Sequence, residues 1–73
     1  MHTYVDHEGH RVRVESGAFG VWKARRTIHR KGKPPTKRWL RNMKWQVNPR
    51  IAEGQLMQYA QAMGWTLLER RVA

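Results

Sequence analysis

The chain has 73 residues, with 15 Lys/Arg against 5 Asp/Glu and a formal net charge of +10 with His neutral. It contains no Cys, which excludes disulfides and thiolate metal sites. No apolar run approaches the ~18 residues needed to span a bilayer, and Met1-His2-Thr3-Tyr4-Val5-Asp6 lacks the basic start and apolar run of a secretion signal, so a soluble, intracellular single domain is expected.

A domain this short buries only ~60% of its unfolded surface. Its four Trp, two Tyr, one Phe and four Met must therefore supply much of the core. The excess positive charge draws anions. DNA, RNA, an anionic membrane or an acidic protein face are the partners to weigh.

In chain order, Tyr4-Val5 and Val12-Arg13-Val14 flank Asp6-His7-Glu8-Gly9. Asp at the start and Gly at the end of a four-residue turn is a type I pattern, which predicts a hairpin of Thr3–Val5 with His10–Glu15. Ser16-Gly17-Ala18 reads as a second turn, and Phe19–Ile28 as a strand. Neither face of that strand is purely polar, and the period-2 pattern slightly favours Trp22, Ala24 and Ile28 inward.

His29–Lys37 holds Gly32, Pro34 and Pro35. Such a segment cannot be a central strand and reads as a loop. Arg38–Val47 reads as the next strand, with Trp39, Arg41, Met43, Trp45 and Val47 inward and Leu40, Asn42, Lys44 and Gln46 outward.

Asn48-Pro49 is the clearest local signal, since Asn is a good N-cap and Pro is favoured at the first helical position. The helix is expected over Pro49 to about Met63. Ala52, Leu56, Tyr59, Ala60 and Met63 form its apolar stripe, Gly64 is its stop, and Gly54 weakens its interior by ~1 kcal/mol relative to Ala. Trp65–Arg70 reads as a closing strand. The order β-β-β-β-α-β predicts an α+β fold, a small antiparallel sheet of four to five strands with one helix packed on one face.

Between Lys23 and Lys44 the chain places ten Lys/Arg in 22 residues and no Asp or Glu. Lys23, Arg25, Arg26, Arg30, Lys31, Lys33, Lys37, Arg38, Arg41 and Lys44 would lie on two adjacent strands and their connection. Like charges so close together are unfavourable unless an anionic partner neutralises them. Together with Trp22 and Trp39 they are the candidate partner-binding surface. The plainer reading is a solvated face that keeps the protein in solution.

Trp45 and Trp65 are expected in the core. For Trp22 and Trp39, flanked by Lys and Arg, core packing and base stacking are both open. The aromatic signature of an RNA-binding sheet is absent.

His7 and His10 flank the Gly9 turn but lack the further ligands a metal site needs. No Ser/His/Asp set, paired-carboxylate motif or phosphate-cradling Gly loop is present, so no catalytic residue, metal or cofactor is expected. His29 beside Arg25 or Arg41 is the only arrangement with any likeness to a ribonuclease site. The helix presents Glu53, Gln55, Gln58 and Gln61 outward, whereas a DNA-recognition helix brings Lys or Arg to the groove.

The whole chain resembles the small transcription regulators that Xanthomonas-infecting phages direct against their host's RNA polymerase. The likeness lies in length, in Cys-free basic composition, and in the run Val21-Trp22-Lys23-Ala24-Arg25-Arg26 through Lys37-Arg38-Trp39-Leu40-Arg41. It assigns no role to any single residue. It implies a non-enzymatic modulator in the host cytoplasm; a monomer is expected. Such a modulator binds bacterial RNA polymerase near the N-terminal part of the largest (β′) subunit, blocks initiation that depends on the sigma specificity factor, and lets elongating polymerase read through terminators. The alternative from composition alone is a small binder of RNA or single-stranded DNA, with Lys and Arg on phosphates and Trp22 or Trp39 stacking on bases.

Overall fold

The computed structural model describes residues 2–68. Five antiparallel strands, β1 (Thr3–Val5), β2 (Arg11–Ser16), β3 (Trp22–Arg30), β4 (Lys33–Trp39) and β5 (Thr66–Leu68), lie in the order β4-β3-β2-β1-β5. One helix, α1 (Pro49–Met63), connects the two outermost strands and packs over β2 and β3. This is the expected α+β architecture, with the helix in the C-terminal half.

The first hairpin forms where its turn chemistry places it. Asp6 N–H donates to His10 O at 2.9 Å and Gly9 N–H to Asp6 O at 3.1 Å. The Asp6 carboxylate accepts from the amides of Glu8 (3.0 Å) and His10 (2.8 Å). Strand alternation then sorts β2: Val12 and Val14 are buried on the helix side, while Arg11 and Arg13 are exposed on the other.

The helix ends as its sequence specifies. The Asn48 side chain accepts from Arg50 N–H at 2.9 Å, and Pro49 occupies the first turn. At the other end Gly64 takes φ +73, its N–H donating to Gln61 O (3.3 Å) while Trp65 N–H donates to Ala60 O (2.9 Å). That pair of bonds is a Schellman motif, and it turns Trp65 into the core. The His7 ring contacts the Met63 carbonyl through Nε2 at 2.6 Å, tying the first hairpin to the helix end.

The core is Tyr4, Val12, Val14 and Ala24 from the sheet, Ala52, Leu56 and Ala60 from the helix, and Leu40, Met43 and Trp65 from the connections. Trp22 and Tyr59 pack against it half-buried. Ala24 is buried and Ile28 half-buried, so the favoured inward face of β3 is the right one. Leu56 is fully buried, and truncating such a residue to Ala typically costs ~2–5 kcal/mol.

Five expectations need correction. The segment His29–Lys37 is not a loop, because β3 runs to Arg30 and β4 begins at Lys33 after a tight turn in which Gly32 has φ +75. Pro34 and Pro35 are tolerated because β4 is an edge strand and because pairing slips there. Ile28 opposes Thr36 and Arg30 opposes Lys33, so the two prolines face His29 alone.

Arg38–Val47 is not one strand. β4 ends at Trp39; Leu40 N–H donates to Ala24 O at 3.0 Å, the chain loops through Arg41–Met43, and it returns to β3 at a single bridge, Trp22 with Gln46. The excursion breaks the period, so Leu40 and Met43 are buried while Trp45 is 42% and Val47 82% exposed. Trp45 is thus not a core residue, whereas Trp65 is.

Met63 is exposed, so the buried helix stripe ends at Ala60. Finally, Phe19 and Gly20 do not open β3 but belong to a short 3-10 turn, Ala18–Gly20. Phe19 adopts φ 60, ψ 28. This left-handed conformation costs a side-chain-bearing residue ~1–2 kcal/mol. For the closing strand, Thr66–Leu68 pairs with β1, and Glu69 and Arg70 lie outside the described residues.

Candidate interaction surface

The helix covers one face of the sheet and leaves the other open. Residues paired across neighbouring strands share a face, and the pairs Arg11–Thr27, Arg13–Arg25, Glu15–Lys23, Thr27–Lys37 and Arg25–Trp39 define the open one. Five cationic side chains, Arg11, Arg13, Lys23, Arg25 and Lys37, stand there around one carboxylate, Glu15.

Glu15 is near the centre of this group. Its oxygens lie 3.4 Å from Lys37 Nζ, 3.8 Å from Arg13 Nε and 3.9 Å from Arg25 Nη1. One acid cannot balance the set. It lies within ion-pair distance of three basic side chains and leaves a net positive field over the face.

An aromatic pair closes the end of this face nearest the β2–β3 turn. Trp39 and Trp45 have ring centroids 4.6 Å apart at 57°. The Arg25 guanidinium lies 4.5 Å from the Trp39 centroid and Lys23 Nζ 5.3 Å from that of Trp45, both within cation–π range. Two large apolar rings flanked by Arg and Lys have the anatomy of an interface hot spot.

The sequence-predicted surface is therefore divided. Lys23, Arg25, Lys37 and Trp39 come together on the open face. Arg30, Lys31 and Lys33 form the exposed tip of the β3–β4 hairpin. Arg41 and Lys44 are exposed in the connection after β4. Trp22 and Arg26 do not join them.

Trp22 packs on the core from the helix side. Arg26 pairs with Val12 and so also faces the helix side, where its Nε lies 3.0 Å from Asp6 Oδ2 and its guanidinium 5.7 Å from the centroid of Trp65. Arg26 thus makes its contacts within the fold, on the face away from the basic surface. Arg38, paired with Arg26, stands on the helix side of the edge strand and is exposed.

Three members of the surface were not singled out in the sequence: Arg11, Arg13 and Trp45. The alternation Arg11-Val12-Arg13-Val14 contained the signal for the first two, because valines facing a helix force arginines to the opposite face. Nothing comparable marked Trp45, whose position depends on the irregular return of the chain after Arg41.

Among the described residues no group of three or more His, Asp or Glu is arranged to hold a metal ion. No helix among the described residues is long and apolar enough to cross a membrane. The titration of Tyr4 is displaced. Burial, reinforced by the nearby Glu53 carboxylate, raises its phenol above the ordinary 10.0. Tyr4 belongs to the core, on the face away from the basic surface.

Comparison with protein-family models, with curated proteins and with solved structures finds no match.

Proposed function

We propose that this chain is a binding module and not an enzyme. It is a phage-encoded regulator whose partner is the host's bacterial RNA polymerase, engaged through the N-terminal part of the largest (β′) subunit. Bound there in the host cytoplasm, it inhibits initiation by interfering with the sigma factor and promotes antitermination. No cofactor or chemical step is involved. The resemblance of the chain supplies the choice of partner.

The observation that carries the reading is the open sheet face, where five cationic side chains share one surface with a partly exposed Trp pair at its end. Charge of one sign steers encounter with an acidic protein face and raises the association rate. The Trp39–Trp45 pair supplies the apolar centre that charge alone does not.

A second reading is favoured by the same pair. Trp39 and Trp45, bracketed by Arg25 and Lys23, also suit stacking on the bases of RNA or single-stranded DNA.

Retention of core polymerase subunits from nuclease-treated bacterial lysate by the immobilised protein tests the first reading. Arg11→Glu/Arg13→Glu is expected to abolish that retention without unfolding the domain. Loss of every partner after nuclease treatment refutes the polymerase reading. Salt separates the two further: phosphate binding loses ~0.7–0.9 log units of affinity per log unit of salt for each phosphate contacted, whereas an interface with an apolar centre responds less.

A further inference from the structure

We infer that Phe19 is an anchor of the docking surface, its ring entering an apolar pocket bordered by carboxylates on the partner protein. The inference rests on the polymerase reading and adds a residue and a pocket chemistry to it.

Phe19 is 101% exposed, so no part of the fold shields its ring from water. It also occupies the left-handed region that glycine prefers, with Gly20 beside it at φ +71. Among the described residues it is the one side-chain-bearing position with positive φ. The fold itself would be better served by glycine there. The ring brings nothing to the core, and its contribution is sought outside the molecule.

The surroundings point to what it meets. The β2–β3 turn that carries Phe19 also carries Gly17, on which the ring of Trp45 lies. The Trp22–Gln46 bridge brings the return of the chain to the same end of the sheet, where Val47 follows, also exposed. Phe19 therefore stands two residues along the chain from the Gly17 on which Trp45 lies, at the end of the sheet that holds the Trp39–Trp45 patch.

Lys23 flanks that patch at 5.3 Å from the Trp45 ring, and Lys44 precedes Trp45 in the chain. An apolar patch with an ammonium group on one of its rings is matched by an apolar pocket with Asp or Glu at its rim. A Phe side chain has two rotatable angles and loses little entropy when held.

Phe19→Gly, Phe19→Leu and Arg11→Glu/Arg13→Glu are compared with the native chain in two measurements, affinity for purified core RNA polymerase and thermal melting. Phe19→Gly is expected to bind at least tenfold more weakly and to melt at or above the native temperature, with Phe19→Leu recovering part of the affinity. Native-like binding by Phe19→Gly, alongside loss of binding by the double Arg variant, overturns the anchor and leaves the polymerase reading standing. A melting temperature several degrees below native makes the ring structural and also overturns the anchor. Failure of the native chain to bind polymerase removes both.

Discussion

Trp45 lies directly on Gly17. A methyl group on Gly17 would stand 2.6 Å from Trp45 Cζ3 and 2.8 Å from Cη2, closer than packed atoms approach. Gly17 has φ −99, a conformation open to any residue, so its side is kept bare for the indole and not for the backbone. Because Trp45 is 42% exposed, its ring has somewhere to go. Gly17→Ala is expected to push the indole outward, with a stability loss of ~1–3 kcal/mol from overpacking. A red-shifted tryptophan emission together with weaker polymerase binding is the outcome to look for. An unchanged spectrum would mean the contact is absent in solution.

Arg25 and Arg26 are adjacent in sequence and opposite in role. Arg26 bridges Asp6 and Trp65 on the helix side, so Arg26→Met is expected to lower stability by about 1–2 kcal/mol and leave affinity nearly unchanged. Arg13→Glu on the open face is expected to do the reverse, slowing association with little effect on folding. Chemical denaturation and association kinetics on the two variants check this. An affinity loss in Arg26→Met at full stability would return Arg26 to the surface.

Tyr4 makes stability sensitive to alkali. An unfolded phenol ionises at 10.0, and burial beside Glu53 holds the folded one above that. Between the two values the unfolded chain gives up its proton first and is favoured, so this contribution is complete below pH 10 and lost as the pH rises through the folded value. The denaturation midpoint of the native protein is expected to fall more steeply above pH 10 than that of Tyr4→Phe, which has no phenol to titrate. Parallel pH curves for the two proteins would refute the assignment.

Gly64 reads as a backbone requirement alone. A Cβ there would meet the His7 ring at 3.8 Å, an ordinary contact, but φ is +73. Gly64→Ala is expected to lose about 1 kcal/mol, equivalent to a fall of ~4–8 °C in Tm for a domain of this size. A Tm within a degree of native would show that the helix end relaxes without strain.

These sites also mark how far the sequence could be read. Asp6–Gly9, Asn48-Pro49 and Gly64 are local chemistry, so the first hairpin and both helix ends were legible from a few residues each. The α+β class followed from them. The middle of the chain was not legible, because what decides it is not local. Pro34-Pro35 reads as a loop until β4 is known to be an edge strand. Arg38–Val47 alternates like a strand, yet the excursion at Arg41–Met43 shifts the period and exchanges buried Leu40 for exposed Trp45. For the surface, the excess of charge was plain and its sorting was not. Arg26 leaves it only because Asp6 and Trp65 converge on it from distant parts of the chain.

The proline pair on β4 has a consequence for how this molecule can be approached. Neither Pro34 nor Pro35 has an amide to donate, and the slip opposite His29 bends β4 at the free margin of the sheet. That margin is the outer side of the longest hairpin, where a passing chain would otherwise add itself as a sixth strand. With a donor missing and a bulge alongside, backbone zippering is discouraged at the place most exposed to it. The margin is a poor template for joining copies of this chain, which favours recognition there through side chains over main chain.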